Sequence, residues 1–509
     1  MIMSETTAKK GGLLAWIEKT GNKLPHPFFL FVYLSIFVVA LSFVLALVTS
    51  GTVNPTNGET VVIKSLLSRE GVAYMLTSAV TNFTGFAPLG LVLTMSMGIG
   101  LAEDVGLIQA FMKKSIAGAP DFLLVFIVAV VGVCANIASD AGQVIVPAIA
   151  GTMFYSLGKN PLIGIALGYA AATAGFTANL FPTGTDALLG GITNSAVGKV
   201  GAPEINILAN YFFMVASTLV IGLTLTVVTT KLIEPRMGNY VPEDGIKPAV
   251  TDKDLTDLEK AGLKVAGRNL LVALLLLVVA AVPQNSFLRN AKTGSLVDKA
   301  PLFQGIIPII LILFLIAAIP YGKKVGKITK NDDIINLFSR ALKNMSGFIV
   351  LAFIMGQFIS YFNWTNMGLY LAISGANFLK STGFVGIPLF VAFILITFIL
   401  DMFLGSGSAK WAIMAPIFIP MFFLLGYSPA WAQLLYRIGD SPANALTPLS
   451  AYLVMVIEYM REYDKKAGVG TVMALMTPYA MVSLGVWILM MIAWFLLNLP
   501  LGIGAFIHI

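Results

Sequence analysis

Long stretches without any charged side chain are the feature that most limits how this chain can fold. Residues Pro27–Thr49 and Tyr211–Thr230 contain no Asp, Glu, Lys or Arg, and neither does the chain from Thr471 onward. Each stretch is as long as the roughly 20 apolar residues with which an α-helix crosses a bilayer. The weak dyad alternation typical of a β-barrel is not visible. The sequence therefore predicts an all-α polytopic membrane protein, whose first hydrophobic stretch is too long for a signal-peptide core and is a retained span.

Composition narrows the functional classes. The 509 residues are 57% hydrophobic and 11% charged, whereas soluble domains have about 25% charged residues. Basic residues cluster between the apolar stretches, so the net charge of +7 indicates membrane orientation and not nucleic-acid binding. The single cysteine, Cys134, excludes an intramolecular disulfide and a cysteine-cluster metal site. With only His26 and His508, no histidine metal site or catalytic triad is expected, and we predict neither a cofactor nor an enzyme.

The distribution of basic residues predicts the topology. The lysine-bearing residues 1–24 are expected in the cytoplasm, and an odd number of crossings then places the C-terminus outside. A short surface helix is expected at Asp252–Leu263 in a cytoplasmic loop. The nine predicted crossings are Pro27–Thr49, Pro88–Ile108, Asn160–Thr185, Tyr211–Thr230, Asn269–Pro283, Leu302–Tyr321, Ser346–Phe362, Pro429–Ile457 and Thr471–Leu497.

One unusual arrangement occurs twice along the chain. A small polar cluster separates two uncharged stretches, a proline follows eight residues after the serine, and a Pro-containing break begins at an Ala-Asn step. Five predicted crossings separate the copies, so they are inverted, and interrupted helices in matching places of two halves are the best pointer to the binding site of a secondary transporter. The copies pair Phe122–Ser139 with Ala141–Gly158 and Ser381–Leu400 with Trp411–Leu425, and their breaks lie at Asn179–Asp186 and Ser441–Leu449.

Five ionisable side chains lie inside otherwise uncharged stretches. A charge at mid-bilayer costs about 2.5–3.5 kcal/mol on insertion scales, so such residues are functional candidates. They are Asp140, Asp186, Asp401, Arg437 and Asp440. The four aspartates are candidates for ion coupling, with Asp186 foremost. Arg437 and Asp440 are three residues apart on one helix, so they either pair with each other, or the planar guanidinium of Arg437 binds a substrate carboxylate.

The two breaks supply candidate binding groups. Asn179 and Asn444 are expected to face the substrate, while Pro182, Pro429 and Pro448 act as hinges. Unwound carbonyls could hold Na⁺ near four residues, Asn179, Thr183, Asn444 and Thr447. One break alone would favour a plain proline kink, but two in symmetric positions favour a binding site.

The polar clusters carry further candidates, each with a structural alternative. Ser139 and Ser408 suit tight tips that let backbone approach a ligand, although small residues also serve helix packing. Asp140 binds an ion or caps the following helix. Trp411 stacks on an aromatic substrate or is an interfacial anchor, and Lys410 attracts an anion or reaches towards water.

Several motifs together resemble the AbgT family of p-aminobenzoyl-glutamate transporters over nearly the whole length: Asn82–Gly90, Gly175–Leu180, Gly407–Trp411, Met414–Phe418 and Tyr436–Ser441. The resemblance implies a homodimer in which each protomer has nine transmembrane helices and two re-entrant helical hairpins, close to elevator-type sodium/dicarboxylate transporters. The positions that match functional ones are Asp186, Ser408, Trp411, Pro429, Arg437, Asp440 and Pro448. Relatives are expected to have Asn where this chain has Asp401, which leaves the coupling ion, Na⁺ or H⁺, open.

The resemblance also implies a division of the chain. Residues 1–24 are a cytoplasmic segment and residues 236–268 a cytoplasmic loop. Residues 25–115 and 269–379 form scaffold helices, of which the first group dimerises. Residues 116–235 and 380–509 are the two halves of a transport domain.

The leading hypothesis is an ion-coupled secondary transporter of p-aminobenzoyl-glutamate or related aromatic anions in a bacterial inner membrane. Alternatives are a proton-driven exporter of sulfonamides and p-aminobenzoate, or a sodium-coupled transporter of dicarboxylate- or dipeptide-like anions. A channel fits less well because paired inverted breaks suit alternating access. A primary pump is disfavoured because no Gly-x-x-x-x-Gly-Lys-Ser/Thr nucleotide loop occurs.

Overall fold

The computed structural model describes residues 25–509 except 56–57, 118–119, 121–122, 138–141, 239, 241–254, 297–299, 448–449 and 451, and for Lys199 it describes the backbone alone. Three candidates, Ser139, Asp140 and Pro448, therefore lie outside the described residues. The described chain is overwhelmingly helical, as the uncharged stretches predict.

The described residues in the first half of the chain form one short β-ribbon and ten α-helices. The strands β1 (Thr52–Val53) and β2 (Thr60–Val61) pair antiparallel. Helix α9 continues through a π-turn at Thr229–Ile233 into α10. The helices are α1 (Pro27–Val48), α2 (Arg69–Thr84), α3 (Ala87–Asp104), α4 (Leu107–Ala117), α5 (Leu124–Cys134), α6 (Gly142–Ser156), α7 (Pro161–Ala174), α8 (Gly184–Val197), α9 (Tyr211–Val228) and α10 (Glu234–Met237).

The described residues in the second half form eleven further α-helices. They are α11 (Asp257–Ala281), α12 (Pro301–Gln304), α13 (Ile306–Lys324), α14 (Asn331–Asn344), α15 (Ser346–Trp364), α16 (Met367–Thr382), α17 (Ile387–Asp401), α18 (Gly407–Leu424), α19 (Pro429–Asn444), α20 (Leu453–Arg461) and α21 (Val469–Leu496). As α5 and α6 form a first hairpin and α7 and α8 a first interrupted helix, so α17 and α18 form a second hairpin and α19 and α20 a second interrupted helix.

Within the described part of the chain, eight helices are long and apolar enough to cross a membrane. In this count α2 and α3 run together as Arg69–Asp104, and the second hairpin arm α18 is included. The interrupted helices are excluded because each half is too short by itself. The multi-pass helical architecture is confirmed, while the number of nine crossings stays a prediction.

The described residues 255–263 of the predicted surface helix Asp252–Leu263 do not form a separate element, and residues 252–254 lie outside the described part of the chain. Helix α11 begins at Asp257 and continues for 25 residues to Ala281. Thr256 and Glu259 form a capping box at its start, and no proline interrupts the sequence that follows. The charged residues from Asp257 onward are therefore the first turns of the helix that contains most of the predicted span Asn269–Pro283.

Buried apolar side chains form two large cores. One core joins α3, α4, α11, α13 and α14, with Met95 and Tyr321 among its buried members. The other joins both hairpins, both interrupted helices, α9, α15 and α21, and also takes in Phe31 of α1. Helix α8 packs against α3 of the first core and α18 of the second. Both interrupted helices thus contribute to the larger core, and half-helix α8 of the first one also contacts the smaller core.

Both interrupted helices begin in the same way. A proline occupies the first turn of each, and a side chain caps it: Asn160 Oδ1 accepts from Leu162 N at 3.1 Å, and Ser428 Oγ accepts from Trp431 N at 3.2 Å. Proline suits this position because the first amides of a helix have no intrahelical partner. The resulting half-helices, α7 and α19, end at the two breaks.

The first break begins earlier than predicted. Helix α7 ends at Ala174, and the backbone stays non-helical through Thr183, which we name the first elbow (residues 175–183). A Cβ atom on Gly175 would lie 2.6 Å from the Val133 side chain, so glycine allows α5 to approach the helix end closely. The second break begins later than predicted, because α19 continues past Ser441 to Asn444. The second elbow comprises the described residues among 445–452.

Candidate functional site

Hydrogen bonds join the first elbow to the last turn of α19. Thr177 of the first elbow donates its backbone N–H to Ser441 Oγ at 3.1 Å, and the two hydroxyl oxygens lie 2.6 Å apart. Ser441 belongs to the last turn of α19, just before the second elbow. Both side chains are buried, so this contact fixes the ends of two half-helices against each other.

A buried ion pair also connects the two repeats. Arg437 Nη1 of α19 lies 2.6 Å from Asp186 Oδ1 of α8. Asp186 Oδ2 accepts from Thr183 N at 2.7 Å and from Thr183 Oγ1 at 2.9 Å. Asp186 lies in the first turn of α8, where the helix dipole favours a carboxylate, and therefore not within the break as predicted. We name Arg437 and Asp186 the cross-repeat pair.

A chain of polar contacts extends from the other edge of Arg437. Gln433 satisfies both of its neighbours when its amide nitrogen faces Thr193 Oγ1 at 2.8 Å and its oxygen faces Arg437 Nη2 at 2.9 Å. Trp411 Nε1 donates to the same Thr193 oxygen at 3.0 Å. Through these residues, hairpin arm α18 is connected to the cross-repeat pair.

Trp411 is not an interfacial anchor, because it is wholly buried. Its ring packs on Tyr436 with centroids 4.6 Å apart. A role in stacking on a substrate stays a prediction, and it would require this enclosed ring to become accessible.

A second group of buried charges lies at the tip of the second hairpin. Lys410 Nζ contacts Asp401 Oδ1 and lies 2.8 Å from Asp440 Oδ1. The ammonium does not reach water, as one alternative expected, because only 1% of Lys410 is exposed. We name Asp401, Lys410 and Asp440 the hairpin triad.

The expected pairing of Arg437 with Asp440 does not occur. Although the two residues are three positions apart on α19, Arg437 contacts α8 and Asp440 contacts α18. Each side chain finds an opposite charge on another element, so the helical neighbours stay separate. This result could not be read from spacing within one helix.

Further hydrogen bonds tether the hairpin tip to α19. The Tyr436 hydroxyl donates to Asp440 Oδ1 at 3.0 Å and to the Gly407 carbonyl. A Cβ atom on Gly407 would lie 3.2 Å from Asp440 Oδ1, so the small residue permits this close approach. Ser408 lies in the first turn of α18, with its hydroxyl 3.5 Å from that of the capping residue Ser406.

Three of the four residues predicted to hold sodium form hydrogen bonds with different partners. The Thr183 hydroxyl donates to Asp186, and Asn444 Nδ2 donates to the Asp440 carbonyl at 3.1 Å. Asn179 Oδ1 accepts from Phe181 N at 3.3 Å, while its buried Nδ2 has no hydrogen-bond partner. Thr447 is buried in the second elbow. Among the described residues, no group of three or more His, Cys, Asp or Glu side chains is arranged to hold a metal ion.

Sequence reasoning missed three residues that connect the charges, Thr193, Gln433 and Tyr436. Gln433 lies four residues before Arg437, on the same helical face, and this spacing was the available signal. Thr193 carries no comparable signal because its partners come from α18 and α19, which are distant in sequence.

The charged residues are closed off in this conformation. A cavity of about 560 Å³ lies beside the first turn of α19, lined in part by Glu204, Asn206, Ser428 and His508. Neither the cross-repeat pair nor the hairpin triad lines it, and the most exposed charged side chain of the two groups, Asp186, is 12% exposed. The site geometry is that of an occluded centre between two repeats.

Comparison with known proteins places this architecture in a family. The family model described as "AbgT putative transporter family" matches residues 12–509. The p-aminobenzoyl-glutamate transport protein of Escherichia coli (strain K12) is 38% identical over 502 residues, which are 98% of each chain.

Two solved structures share the fold. The MtrF structure of Neisseria gonorrhoeae, described as illuminating a class of antimetabolite efflux pumps, has a TM-score of 0.90 and 37% identity, and the match covers 97% of this chain and all of that one. The YdaH transporter of Alcanivorax borkumensis, described as having an unusual topology, has a TM-score of 0.88 and 35% identity, covering 94% and 100%. The chain therefore belongs to the AbgT family of membrane transporters and is not an enzyme.

Proposed function

We propose that this protein is an ion-coupled secondary transporter that carries p-aminobenzoyl-glutamate or related aromatic carboxylates between its two elbows. The observation that carries the proposal is the cross-repeat pair, a buried arginine bound to a carboxylate of the other repeat. Buried ionisable residues in membrane helices are expensive and mark substrate or ion pathways. The name of the Escherichia coli relative supports the same substrate class.

Arg437 offers a suitable edge for a substrate carboxylate. Its Nη1 is held by Asp186, while Nη2 and Nε face the Gln433 oxygen at 2.9 and 3.3 Å. Two parallel N–H groups match the two oxygens of a carboxylate, and such bidentate contacts are stronger than those of a neutral amide. A substrate carboxylate therefore displaces Gln433 from this edge, while Asp186 keeps the guanidinium in position.

Asn179 supplies a second binding group in the first elbow. Its Nδ2 is a buried donor without a partner, and a buried unsatisfied donor costs about 1–3 kcal/mol. A carboxylate or amide oxygen of the substrate recovers that cost when it binds. Asn444, at the end of α19, and Ser408, in the first turn of α18, complete the proposed substrate shell.

The proposed architecture is a homodimer with nine crossings and two re-entrant hairpins in each protomer. We place the protein in a bacterial inner membrane, with residues 1–24 in the cytoplasm and the C-terminus outside. Residues 25–115 and 269–379 form the scaffold, and residues 116–235 and 380–509 form a transport domain that moves in elevator fashion. Helix α8, packed against both cores, lies where these bodies would slide.

A second candidate function is proton-driven export of sulfonamides and p-aminobenzoate. The observation that favours it is the similarity to the antimetabolite efflux pump of Neisseria gonorrhoeae over 97% of this chain. A single carboxylate or sulfonyl group would then occupy the Arg437 edge. The two functions differ in substrate and direction, and they use the same site.

Counterflow in proteoliposomes tests the proposal. Labelled p-aminobenzoyl-glutamate outside should enter vesicles preloaded with the unlabelled compound, since a carrier exchanges substrate without net flux. Unlabelled p-aminobenzoate should compete, and p-aminobenzamide, which lacks the carboxylate, should compete at least about tenfold less well, corresponding to about 1.4 kcal/mol. Sulfonamide competition as strong as that of p-aminobenzoyl-glutamate would favour the export function.

Arg437→Lys tests the binding edge. Lysine keeps the charge but cannot present two parallel N–H groups, so counterflow should fall at least about tenfold. Arg461→Lys is the matched control, because Arg461 forms an exposed pair with Glu458 at 2.7 Å. Equal rates for Arg437→Lys and the wild type would remove Arg437 from the substrate site.

A further inference from the structure

The hairpin triad holds unequal numbers of opposite charges in a fully buried place. Asp401 ends α17, Lys410 lies in the first turn of α18, and Asp440 lies on α19. None of the three is more than 1% exposed. One ammonium therefore faces two carboxylates, and a fully ionised triad would carry a net charge of −1.

Among the described residues, no side chain of the neighbouring helices supplies the missing positive charge. Helix α17 packs against α18 and α19, and the polar groups facing the carboxylates from these helices are Lys410, the Tyr436 hydroxyl and the Asn444 amide. Arg437, the nearest arginine in sequence, is bound to Asp186. Within the described part of the chain, no second cation forms an ion pair with Asp401 or Asp440. Because burying an uncompensated charge costs several kcal/mol, the triad is poised to take up one positive charge.

The two carboxylates are not equivalent. Asp440 is bound by Lys410 and Tyr436 through Oδ1, and its Oδ2 lies 3.4 Å from Asn444 Nδ2. Asp401 Oδ2 is buried and has no hydrogen-bond partner. An ionised oxygen without a donor is less favourable than a neutral carboxyl group, so Asp401 is the better place for an added charge.

The geometry favours a proton over a metal cation. The Lys410 ammonium already occupies the place between the two carboxylates, so a sodium ion bound there would be repelled by it. The triad leaves one unpartnered oxygen, Asp401 Oδ2, whereas hard metal cations take several oxygen ligands. A proton requires a single oxygen.

We propose that Asp401 is the proton-carrying group of this transporter, an inference that rests on the proposed function. Protonation forms an O–H bond at Asp401 Oδ2 and changes the triad from −1 to neutral, while Lys410 stays an ammonium bound to Asp440. The neutral hairpin tip crosses the membrane interior at lower cost than the charged one. Release of the proton on the other side restores the charge, which couples substrate movement to the proton gradient.

Uptake of labelled p-aminobenzoyl-glutamate into proteoliposomes tests the inference with the full-length protein. For each variant, the initial rate under an imposed pH gradient is divided by its own rate without a gradient, with Na⁺ absent from both sides. The wild-type ratio should be well above one, and the ratio for Asp401→Asn should fall to about one, whatever its absolute rate. Asp401→Glu, which restores a titratable group, should regain a ratio above one.

Glu458→Gln is the matched control, since it neutralises an exposed carboxylate outside the site and should keep the wild-type ratio. An Asp401→Asn protein whose ratio stays at the wild-type value would overturn the inference. If wild-type counterflow is absent, the proposed function fails and the inference fails with it. The two failures are distinguishable, because an unchanged ratio for Asp401→Asn leaves wild-type counterflow intact.

A spectroscopic measurement keeps the inference testable if Asp401→Asn folds poorly. Infrared difference spectra of the wild-type protein between acid and alkaline pH should show the C=O stretch of a protonated buried carboxyl group, and Asp401→Glu should shift the band. A wild-type protein without such a band at any pH would overturn the assignment.

Discussion

The cross-repeat pair and the hairpin triad are both buried groups of charges, and they differ in balance. Arg437 and Asp186 match one positive with one negative charge across two repeats. Asp401, Lys410 and Asp440 place two negative charges around one positive charge within the second repeat. A balanced pair holds its geometry at any pH at which both groups are ionised, whereas an unbalanced triad changes its net charge when a proton binds.

This difference suggests that the two groups of charges have different functions. The balanced pair is suited to hold the arginine edge towards a substrate carboxylate. The unbalanced triad lies at the hairpin tip, where occlusion and movement are expected in a transporter with inverted repeats. Substrate recognition and ion coupling would thus use separate charges that share helix α19.

Removal of the single triad cation should have the largest effect. Lys410→Met leaves two carboxylates buried without a cation, which should lower the free energy of unfolding by about 3–5 kcal/mol. Thermal unfolding in detergent micelles measures the loss. Exposed Lys466→Met is the control and should unfold like the wild type. Combining Lys410→Met with Asp401→Asn and Asp440→Asn should recover most of the stability, and an unrescued triple variant would show that charge balance is not the cause.

Two aspartate substitutions should affect stability differently in the cross-repeat pair and in the hairpin triad. Asp186→Asn leaves Arg437 buried without a counter-charge and should cost roughly 3 kcal/mol of stability. Asp440→Asn leaves Lys410 paired with Asp401 and should stay within about 1 kcal/mol of the wild type. Both should reduce transport at least about tenfold. From the sequence we expect both variants to express normally, and the geometry restricts that expectation to Asp440→Asn. Equal stabilities, measured by thermal unfolding, would contradict the contrast.

Loss of the contact between the first elbow and the last turn of α19 should have an intermediate effect. Thr177→Val keeps the shape of the side chain but removes the hydroxyl that lies 2.6 Å from Ser441 Oγ. We expect a loss of about 1–2 kcal/mol in unfolding free energy, because the buried Ser441 hydroxyl loses one partner and keeps only the backbone N–H of residue 177. Thr84→Val, at an exposed threonine, is the control for exchanging a hydroxyl for a methyl group. A Ser441→Ala background should remove most of the Thr177 effect, and independent losses would argue against a direct bond.

The sequence predicts the helices and breaks well, for a physical reason. Apolar length and helix-ending residues act locally, so the interruptions after Ala174 and Asn444 follow from nearby glycine, asparagine and proline. The elbow limits are less predictable, since Gly175 is required by the approach of Val133 from another helix. The residue at which α7 ends therefore depends on a contact with another helix.

The buried charges were predicted as candidates, but their partners were not. Spacing on one helix suggests Arg437 with Asp440, whereas the structure pairs Arg437 with a residue 251 positions earlier. For Lys410 the sequence suggests only attraction of an anion or contact with water, because a single sequence does not show which elements surround this residue. Pairing across repeats depends on how the helices pack, and local rules do not contain that information.

The smallest effect should come from the link between the two groups of charges. Trp411 follows Lys410 in the chain, and its Nε1 donates at 3.0 Å to Thr193, which contacts the Gln433 neighbour of Arg437. Trp411→Phe keeps an aromatic ring against Tyr436 but removes the donor, so we expect a loss of about 0.5–1.5 kcal/mol. A double-mutant cycle with Gln433→Leu, measured by thermal unfolding, should give a coupling energy above about 0.5 kcal/mol, since residues in one hydrogen-bond network are not additive. Additive losses would mean that the cross-repeat pair and the hairpin triad respond independently, and that coupling between substrate and proton passes through the backbone of α19 instead.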